Sequence, residues 1–139
     1  AELALHMNQS VAAVRTKLAH ISDVNPLLGI RGCRITAIMP WLTEMQVEAI
    51  VEAGLESEKE GHHVLLEICV SMVASTHELE STIAVVNRTS KKTFEACGNS
   101  VVSKTFEYLS VGVMMDTPRA CWRSESMCDN VAFHFYNAN

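Results

Sequence analysis

Residues 64–78 read VLLEICVSMVASTHE and join a strand pattern to the start of a helix. The run 64–72 is almost continuously apolar and has the length of a strand, which is typical of a strand covered on both faces. Ser75 and Glu78 have the S-x-x-E spacing of a capping box, so a helix is predicted to follow and to stop at Gly98. The order strand, turn, helix predicts an α/β fold.

The same order is predicted closer to the N-terminus. Residues 34–39 (RITAIM) form a short apolar run rich in β-branched side chains, and Pro40 closes it, which predicts a strand. Thr43 and Gln46 then have the spacing of a second capping box, and apolar periodicity predicts a helix to Lys59.

Two further strands are predicted towards the C-terminus, over 108–115 (YLSVGVMM) and 131–136 (VAFHFY). Pro118 lies between them, where the first turn of a helix tolerates proline. An additional helix is predicted over 9–22. Four strands alternating with three helices indicate a parallel sheet, which leaves either a doubly wound sheet or part of a (β/α)8 barrel.

Composition narrows the class of protein. The chain has 139 residues, which suits one domain over 1–139, and its net charge of −5 argues against a general nucleic-acid binder. No apolar stretch reaches membrane-span length, so no membrane partner is expected. Neither G-x-G-x-x-G nor G-x-x-x-x-G-K-[ST] occurs, which removes the sequence support for those nucleotide sites.

The five cysteines include no C-x-x-C pair and have no regular spacing. This pattern favours reduced thiols over a disulfide framework. We therefore expect an intracellular protein, either cytoplasmic or in an organelle matrix.

The stretch 25–34 (NPLLGIRGCR) holds two arginines in a short loop. Guanidinium groups in a loop either bind an anion or are solvated, and the residues alone leave both interpretations open. The histidine doublet His62 and His63 is interpreted as surface residues. His134 is expected to be packed or lumen-facing, and Cys121 and Cys128 on one predicted helix make a poor zinc site.

Several motifs along most of the chain resemble those of one known family. NPLLGIRGCR followed by PWLTEMQVEAIVEA resembles the phosphoenolpyruvate/pyruvate-binding domain of pyruvate phosphate dikinase, whose pattern is NPM-L-G-x-RGCR and then P-x-x-TEMQ. LLEICVSMV resembles the family's EIMVPLV, GVMMDTPRA resembles G-x-MIEIPRA, and FHFYNAN resembles FSFGTND. The resemblance implies a partial (β/α)8 barrel, about half of one, with about four parallel strands.

The resemblance also implies a function and a set of site residues. The family is a phosphotransferase that interconverts pyruvate and phosphoenolpyruvate through a phosphohistidine, with Mg²⁺. Arg31 matches its substrate-binding arginine, whereas Arg34 is expected to be structural. Asp116 matches a metal-binding glutamate and is one methylene shorter. Asn139 matches a second metal carboxylate, and Asn137 a threonine of the same substrate-binding motif, so Mg²⁺ binding is expected to be weak or lost.

Turnover and partners follow from the same comparison. None of the five cysteines matches the family's catalytic cysteine, so the chain alone is not expected to be catalytic. The alternative is a non-catalytic remnant or protein-interaction module of the same fold. Because half a barrel leaves edge strands unpaired, we expect self-association or pairing with the missing half of the barrel.

Overall fold

The computed structural model describes residues 2–22, 25–97 and 109–137. Within that part of the chain it has six helices, three strands and two 3₁₀ segments. In chain order they are α1 Glu2–His6, α2 Val11–Ile21, 3₁₀ Pro26–Leu28, α3 Cys33–Ile38, α4 Pro40–Lys59, β1 Glu67–Val70, α5 Thr76–Ala96, β2 Ser110–Met115, α6 Pro118–Trp122, 3₁₀ Ser124–Asn130 and β3 Phe133–Tyr136.

The strands form one parallel sheet in the order β1-β2-β3, which confirms the α/β class. The register pairs Val70 with Val113, and Met115 with Tyr136. Three of the four predicted strands are therefore present, each shorter than the apolar run that predicted it. Tyr108, the first residue of one predicted strand, lies outside the described residues.

The fourth predicted strand, over 34–39, is wrong, because residues 33–38 form helix α3 and Met39 is its C-cap. A run of six residues is too short for periodicity to separate a strand from a helix turn. The tertiary setting decides the conformation here. Gly32 has a positive φ of 58° and turns the chain, and the Cys33 N–H donates to the Ser71 carbonyl at 3.0 Å. The segment therefore packs against the end of β1 instead of pairing with it along its length.

The predicted capping box at Thr43 is also wrong. Helix α4 begins three residues earlier, with Pro40 in its first turn, where the missing N–H costs nothing. The Thr43 hydroxyl instead shares a hydrogen bond of 2.9 Å with the Thr36 hydroxyl, which joins α3 to α4. The predicted end at Lys59 is confirmed.

The capping box at the start of α5 is confirmed. The Ser75 hydroxyl accepts from the Glu78 N–H at 3.3 Å, and the Glu78 carboxylate accepts from the Ser75 N–H at 3.0 Å. The predicted helix start at Pro118 is confirmed as well, with the Thr117 hydroxyl as its N-cap. Gly98, the predicted stop after α5, lies outside the described residues, and the helix ends at Ala96.

The core lies between one face of the sheet and the helices. Buried side chains form two clusters, whose strand members are Val70 of β1 and Val113 and Met115 of β2. Met72 and Met127 are buried there too, whereas Met7 and Met45 are about half exposed. None of the helices within residues 2–22, 25–97 and 109–137 has the length and apolarity needed to cross a bilayer.

Candidate functional site

The carboxyl ends of the three strands meet at one edge of the sheet, because the strands are parallel. Ser71 follows β1, Asp116 follows β2 and Asn137 follows β3. In βα folds, ligand-binding residues collect at this edge, on the segments that leave the strands. The structure therefore brings two predicted site residues, Asp116 and Asn137, to the same place.

The corner 31–34 (RGCR) sits on the end of β1. A Cβ atom built on Gly32 would lie 2.4 Å from the Ser71 carbonyl oxygen, so only glycine allows this approach. The next residue, Cys33, donates its N–H to the same oxygen at 3.0 Å. Arg31, immediately before Gly32, is exposed and lies at the rim formed by the strand ends.

Arg34 holds the loop that precedes it. Its Nη1 donates to the Leu27 carbonyl at 2.7 Å and to the Gly29 carbonyl at 2.9 Å. The guanidinium thus satisfies two carbonyl groups of the turn in which the 3₁₀ segment Pro26–Leu28 lies. These contacts confirm that Arg34 is structural.

The turn 71–75 after β1 is held by two carboxylates. Both oxygens of Asp116 accept from the Met72 N–H, at 3.2 and 3.0 Å. Glu78 accepts from the Ala74 and Ser75 N–H groups at 2.8 and 3.0 Å. Met72 has a positive φ of 61°, which is unusual for a residue other than glycine.

The carbonyl groups of the same turn also have partners. The Cys33 thiol donates to the Met72 carbonyl at 3.1 Å, and the Thr117 hydroxyl donates to the Val73 carbonyl at 3.3 Å. The turn is therefore tied to the RGCR corner on one side and to the end of β2 on the other.

The buried Cys33 thiol titrates far from its usual range. Burial, as the largest cause, and the Glu78 and Asp116 carboxylates together raise its pKa from an ordinary 9.0 to about 11, while Arg34 acts in the opposite direction. Burial, followed by Asp116, also raises the pKa of Cys69. Neither group has the character of an activated nucleophile, which needs a lowered pKa.

The third strand contributes Asn137 to this edge. Its backbone N–H donates to the Met115 carbonyl at 3.4 Å, and its side chain is exposed. The register that pairs Met115 with Tyr136 sets Asn137 beside Asp116. Asn139, predicted as a further substrate and metal ligand, lies outside the described residues.

The residues at this edge do not fit a Mg²⁺ site of their own. Mg²⁺ requires octahedral oxygen ligands, usually including one or two carboxylates. In the described part of the chain, no group of three or more His, Cys, Asp or Glu side chains is arranged to hold a metal ion. Asp116 directs both oxygens at one backbone N–H, and Asn137 offers only a neutral amide.

The remaining sequence candidates are three histidines and a cysteine pair. His62 and His63 are exposed, as expected, and His62 lies 3.9 Å from Glu60. Nε2 of His134 is buried without a hydrogen-bond partner among the described residues. Cys121 and Cys128 are in different elements, α6 and the following 3₁₀ segment, so the expectation of one shared helix is wrong.

Sequence reasoning missed the residues that assemble this edge. The Cys33 thiol contacts the Met72 carbonyl across 39 residues of sequence, and the Asp116 carboxylate contacts the Met72 N–H across 44. The positive φ of Met72 leaves no mark in a residue pattern. Only the S-x-x-E motif was a signal, because it identified Glu78 as a residue that bonds backbone N–H groups.

Comparisons with known proteins agree with the motifs. The family model described as "PEP-utilising enzyme, PEP-binding domain" matches residues 6–139. Three relatives are pyruvate, phosphate dikinases. The chloroplastic protein of Flaveria trinervia is 36% identical over 138 residues, the chloroplastic protein 1 of Arabidopsis thaliana 34%, and the protein of Giardia intestinalis 33%. Each alignment covers 99% of this chain but only 14% or 15% of the relative.

Proposed function

Because the chain belongs to the family of PEP-utilising enzymes and matches its PEP-binding domain, we propose that it binds phosphoenolpyruvate or pyruvate at the carboxyl edge of its sheet. In this proposal Arg31 holds the anionic ligand and Asn137 contacts it. The motif resemblance adds Asn139, which lies outside the described residues, and Asp116, whose carboxylate is bound to the Met72 N–H and supports the turn beside the ligand. The chain would then be the substrate-binding segment of a pyruvate phosphate dikinase-like phosphotransferase.

One observation carries the proposal. The RGCR corner is built onto the end of β1 by the Gly32 approach and by the Cys33 hydrogen bond to Ser71. This attachment supports the proposal, because it holds the backbone beside Arg31 at the edge where α/β folds bind ligands. A solvated loop arginine would need no such attachment.

The chemistry of Arg31 suits the ligand. A guanidinium group is always charged at physiological pH, and its planar fork makes paired hydrogen bonds to carboxylate or phosphate oxygens. Phosphoenolpyruvate carries both groups, whereas pyruvate carries only the carboxylate. We therefore expect phosphoenolpyruvate to bind more tightly than pyruvate.

Turnover is not part of the proposal for this chain alone. The chain spans about a seventh of the length of the dikinases that it matches. The interconversion of pyruvate and phosphoenolpyruvate through a phosphohistidine is assigned to the longer protein, in which this segment would bind the small substrate. Mg²⁺ binding is not part of the proposal either, because the described residues offer this ion no site.

The proposal is tested by titrating the purified chain with phosphoenolpyruvate in the absence of metal ions. Binding is measured by NMR chemical-shift changes and by calorimetry. We expect saturable binding that Arg31→Ala abolishes and Arg31→Lys weakens by roughly tenfold, because lysine keeps the charge but not the fork. Arg15→Ala is the matched control, since Arg15 is an exposed arginine on α2. Binding that survives Arg31→Ala, or no binding at millimolar ligand, would contradict the proposal.

The rival function is a non-catalytic remnant or protein-interaction module. It is favoured if phosphoenolpyruvate and pyruvate both fail to bind. It is contradicted by activity in a coupled assay with pyruvate, ATP and phosphate that disappears in Arg31→Ala.

We also propose that the sheet is part of a (β/α)8 barrel and that its open edge pairs with another strand. β1 is an edge strand in the described sheet, and a cavity of about 290 Å³ lies against it. Helix residues line the opposite wall of this cavity. The lining includes Cys69, Val70 and Ser71 from the strand side and Thr36, Gln46 and Val47 from the helices.

An open strand edge of this kind is a template for association, because its backbone N–H and C=O groups lack strand partners. We expect the purified chain to self-associate, or to bind a segment that supplies the remaining barrel strands. Analytical ultracentrifugation over a range of concentrations tests this expectation. A well-folded monomer at every concentration would contradict self-association.

A further inference from the structure

The Asp116 carboxylate and the Met72 N–H are joined by two contacts, at 3.2 and 3.0 Å. We infer that Asp116 acts in this chain as a clasp that holds the turn 71–75 after β1, and that it is not a Mg²⁺ ligand. This inference differs from the role that the family resemblance implies for the same position. It does not depend on whether phosphoenolpyruvate binds.

The backbone conformation of Met72, with its positive φ of 61°, supports this inference. A residue other than glycine keeps a positive φ only where its surroundings hold it there. Met72 is held at three points. Its N–H is bound by Asp116, its carbonyl accepts from the Cys33 thiol at 3.1 Å, and its side chain is 4% exposed in the core. Of these three, Asp116 supplies the only negative charge, and charge-assisted hydrogen bonds are the stronger kind.

The length of the Asp116 side chain also supports this inference. Asp116 directly follows β2, so the sheet fixes the position of its Cα atom. An aspartate at this point reaches the neighbouring Met72 N–H with both oxygens. A glutamate would carry its carboxylate one carbon–carbon bond farther from the backbone and past that N–H. The shorter side chain therefore fits the turn better than it would fit a ligand beyond the turn.

The described residues around Asp116 offer no further anionic ligands for a metal ion. The Glu78 carboxylate, the other acidic group of this turn, is bound to the Ala74 and Ser75 N–H groups. Asn137, beside Asp116 in the sheet register, is neutral. Within residues 2–22, 25–97 and 109–137, no cluster of acidic, histidine or cysteine side chains is arranged for a metal. A lone carboxylate already engaged by a backbone donor makes a weak cation site.

The clasp is tested with Asp116→Asn and Asp116→Glu, and Asp129→Asn serves as control, because Asp129 is an exposed aspartate in the 3₁₀ segment after α6. Thermal unfolding and the hydrogen-exchange rate of the Met72 amide report on the turn. Mn²⁺ electron paramagnetic resonance, without any phosphoenolpyruvate, reports on metal binding.

We expect both Asp116 variants to lower the melting temperature by about 3–6 °C, while the Asp129 control leaves it unchanged. The Met72 amide of both variants should exchange at least roughly tenfold faster. Wild-type protein should bind no Mn²⁺ at micromolar concentration.

Two results would overturn the inference. One is Mn²⁺ binding by the wild-type chain that Asp116→Asn removes. The other is a melting temperature and Met72 exchange rate that neither Asp116 variant changes. If Asp116→Asn does not fold, the wild-type Mn²⁺ titration and the Asp116→Glu variant still decide. Loss of phosphoenolpyruvate binding in Arg31→Ala is a separate result and bears only on the proposed function.

Discussion

The Cys33 thiol donates to the Met72 carbonyl oxygen at 3.1 Å, across 39 residues of sequence. This contact ties the RGCR corner to the turn after β1, and the Cys33 N–H reinforces it by donating to Ser71. The position of Arg31 therefore depends on residues that do not themselves reach a ligand.

Gly32→Ala should destabilise the protein strongly. The new Cβ atom would lie 2.4 Å from the Ser71 carbonyl and 2.5 Å from the Ser71 hydroxyl, and the φ of 58° adds backbone strain. We expect a loss of about 2–4 kcal/mol in the free energy of unfolding, measured by urea denaturation.

Gly61→Ala is the control for the glycine experiment. Gly61 also has a positive φ, of 92°, but an added Cβ atom meets nothing within 4 Å. Only the backbone term remains, so the loss should be about 1 kcal/mol. Equal losses in the two variants would show that the Ser71 contact is not tight.

Stability should fall at alkaline pH because of Cys33. The folded state raises the pKa of its thiol from 9.0 to about 11, so the unfolded chain loses this proton first as the pH rises. The stabilising contribution is complete below pH 9 and disappears as the pH approaches 11. Its full size is about 2–3 kcal/mol.

Denaturation curves across this alkaline range check the thiol prediction. Cys33→Ala should remove most of the alkaline slope, whatever its effect on absolute stability. An identical slope in the variant would assign the pH dependence to other groups.

Gly112→Ala should destabilise the sheet through one aromatic ring. The Phe133 ring lies directly against Gly112 on the neighbouring strand, and an added Cβ atom would come within 2.3 Å of it. We expect a loss of about 1–3 kcal/mol, because the ring must move. In a Phe133→Leu background the same glycine substitution should cost less, and a double-mutant cycle by urea denaturation measures the difference. Additive losses would contradict the packing argument.

Ser75→Ala should weaken the start of α5. The substitution removes the hydroxyl that accepts from the Glu78 N–H, and a lost N-cap typically costs about 1 kcal/mol. Ser75→Thr keeps the acceptor and should retain most of the stability. Thermal unfolding of both variants checks this, and similar melting temperatures for alanine and threonine would contradict the role of the cap.

The outcome for individual elements shows which signals in the sequence were reliable. The strand inside 64–72 and the capping box at Ser75 were predicted because a long apolar run and a local hydrogen-bonding motif are both encoded by neighbouring residues. The run 34–39 was assigned to the wrong element. Its six residues suit either conformation, and the contact of Gly32 and Cys33 with Ser71 selects the helix.

The candidate site divides in the same way. Arg31 and Asn137 were identified by motif resemblance. Asn137 lies at this sheet edge because the strands are parallel, whereas the backbone beside Arg31 is held there by the contacts of Gly32 and Cys33 with Ser71. The hydrogen bonds of Asp116 to Met72 could not be predicted, because they depend on a strained turn 44 residues away in sequence.

The sequence by itself determined the family, the α/β class and the candidate anion-binding arginine, since these depend on local patterns and ordered motifs. The tertiary structure alone decided that residues 33–38 form a helix and that Asp116 faces a backbone N–H. Both decisions depend on contacts between distant segments at the end of β1, and such contacts arise only when the sheet and its turns have assembled.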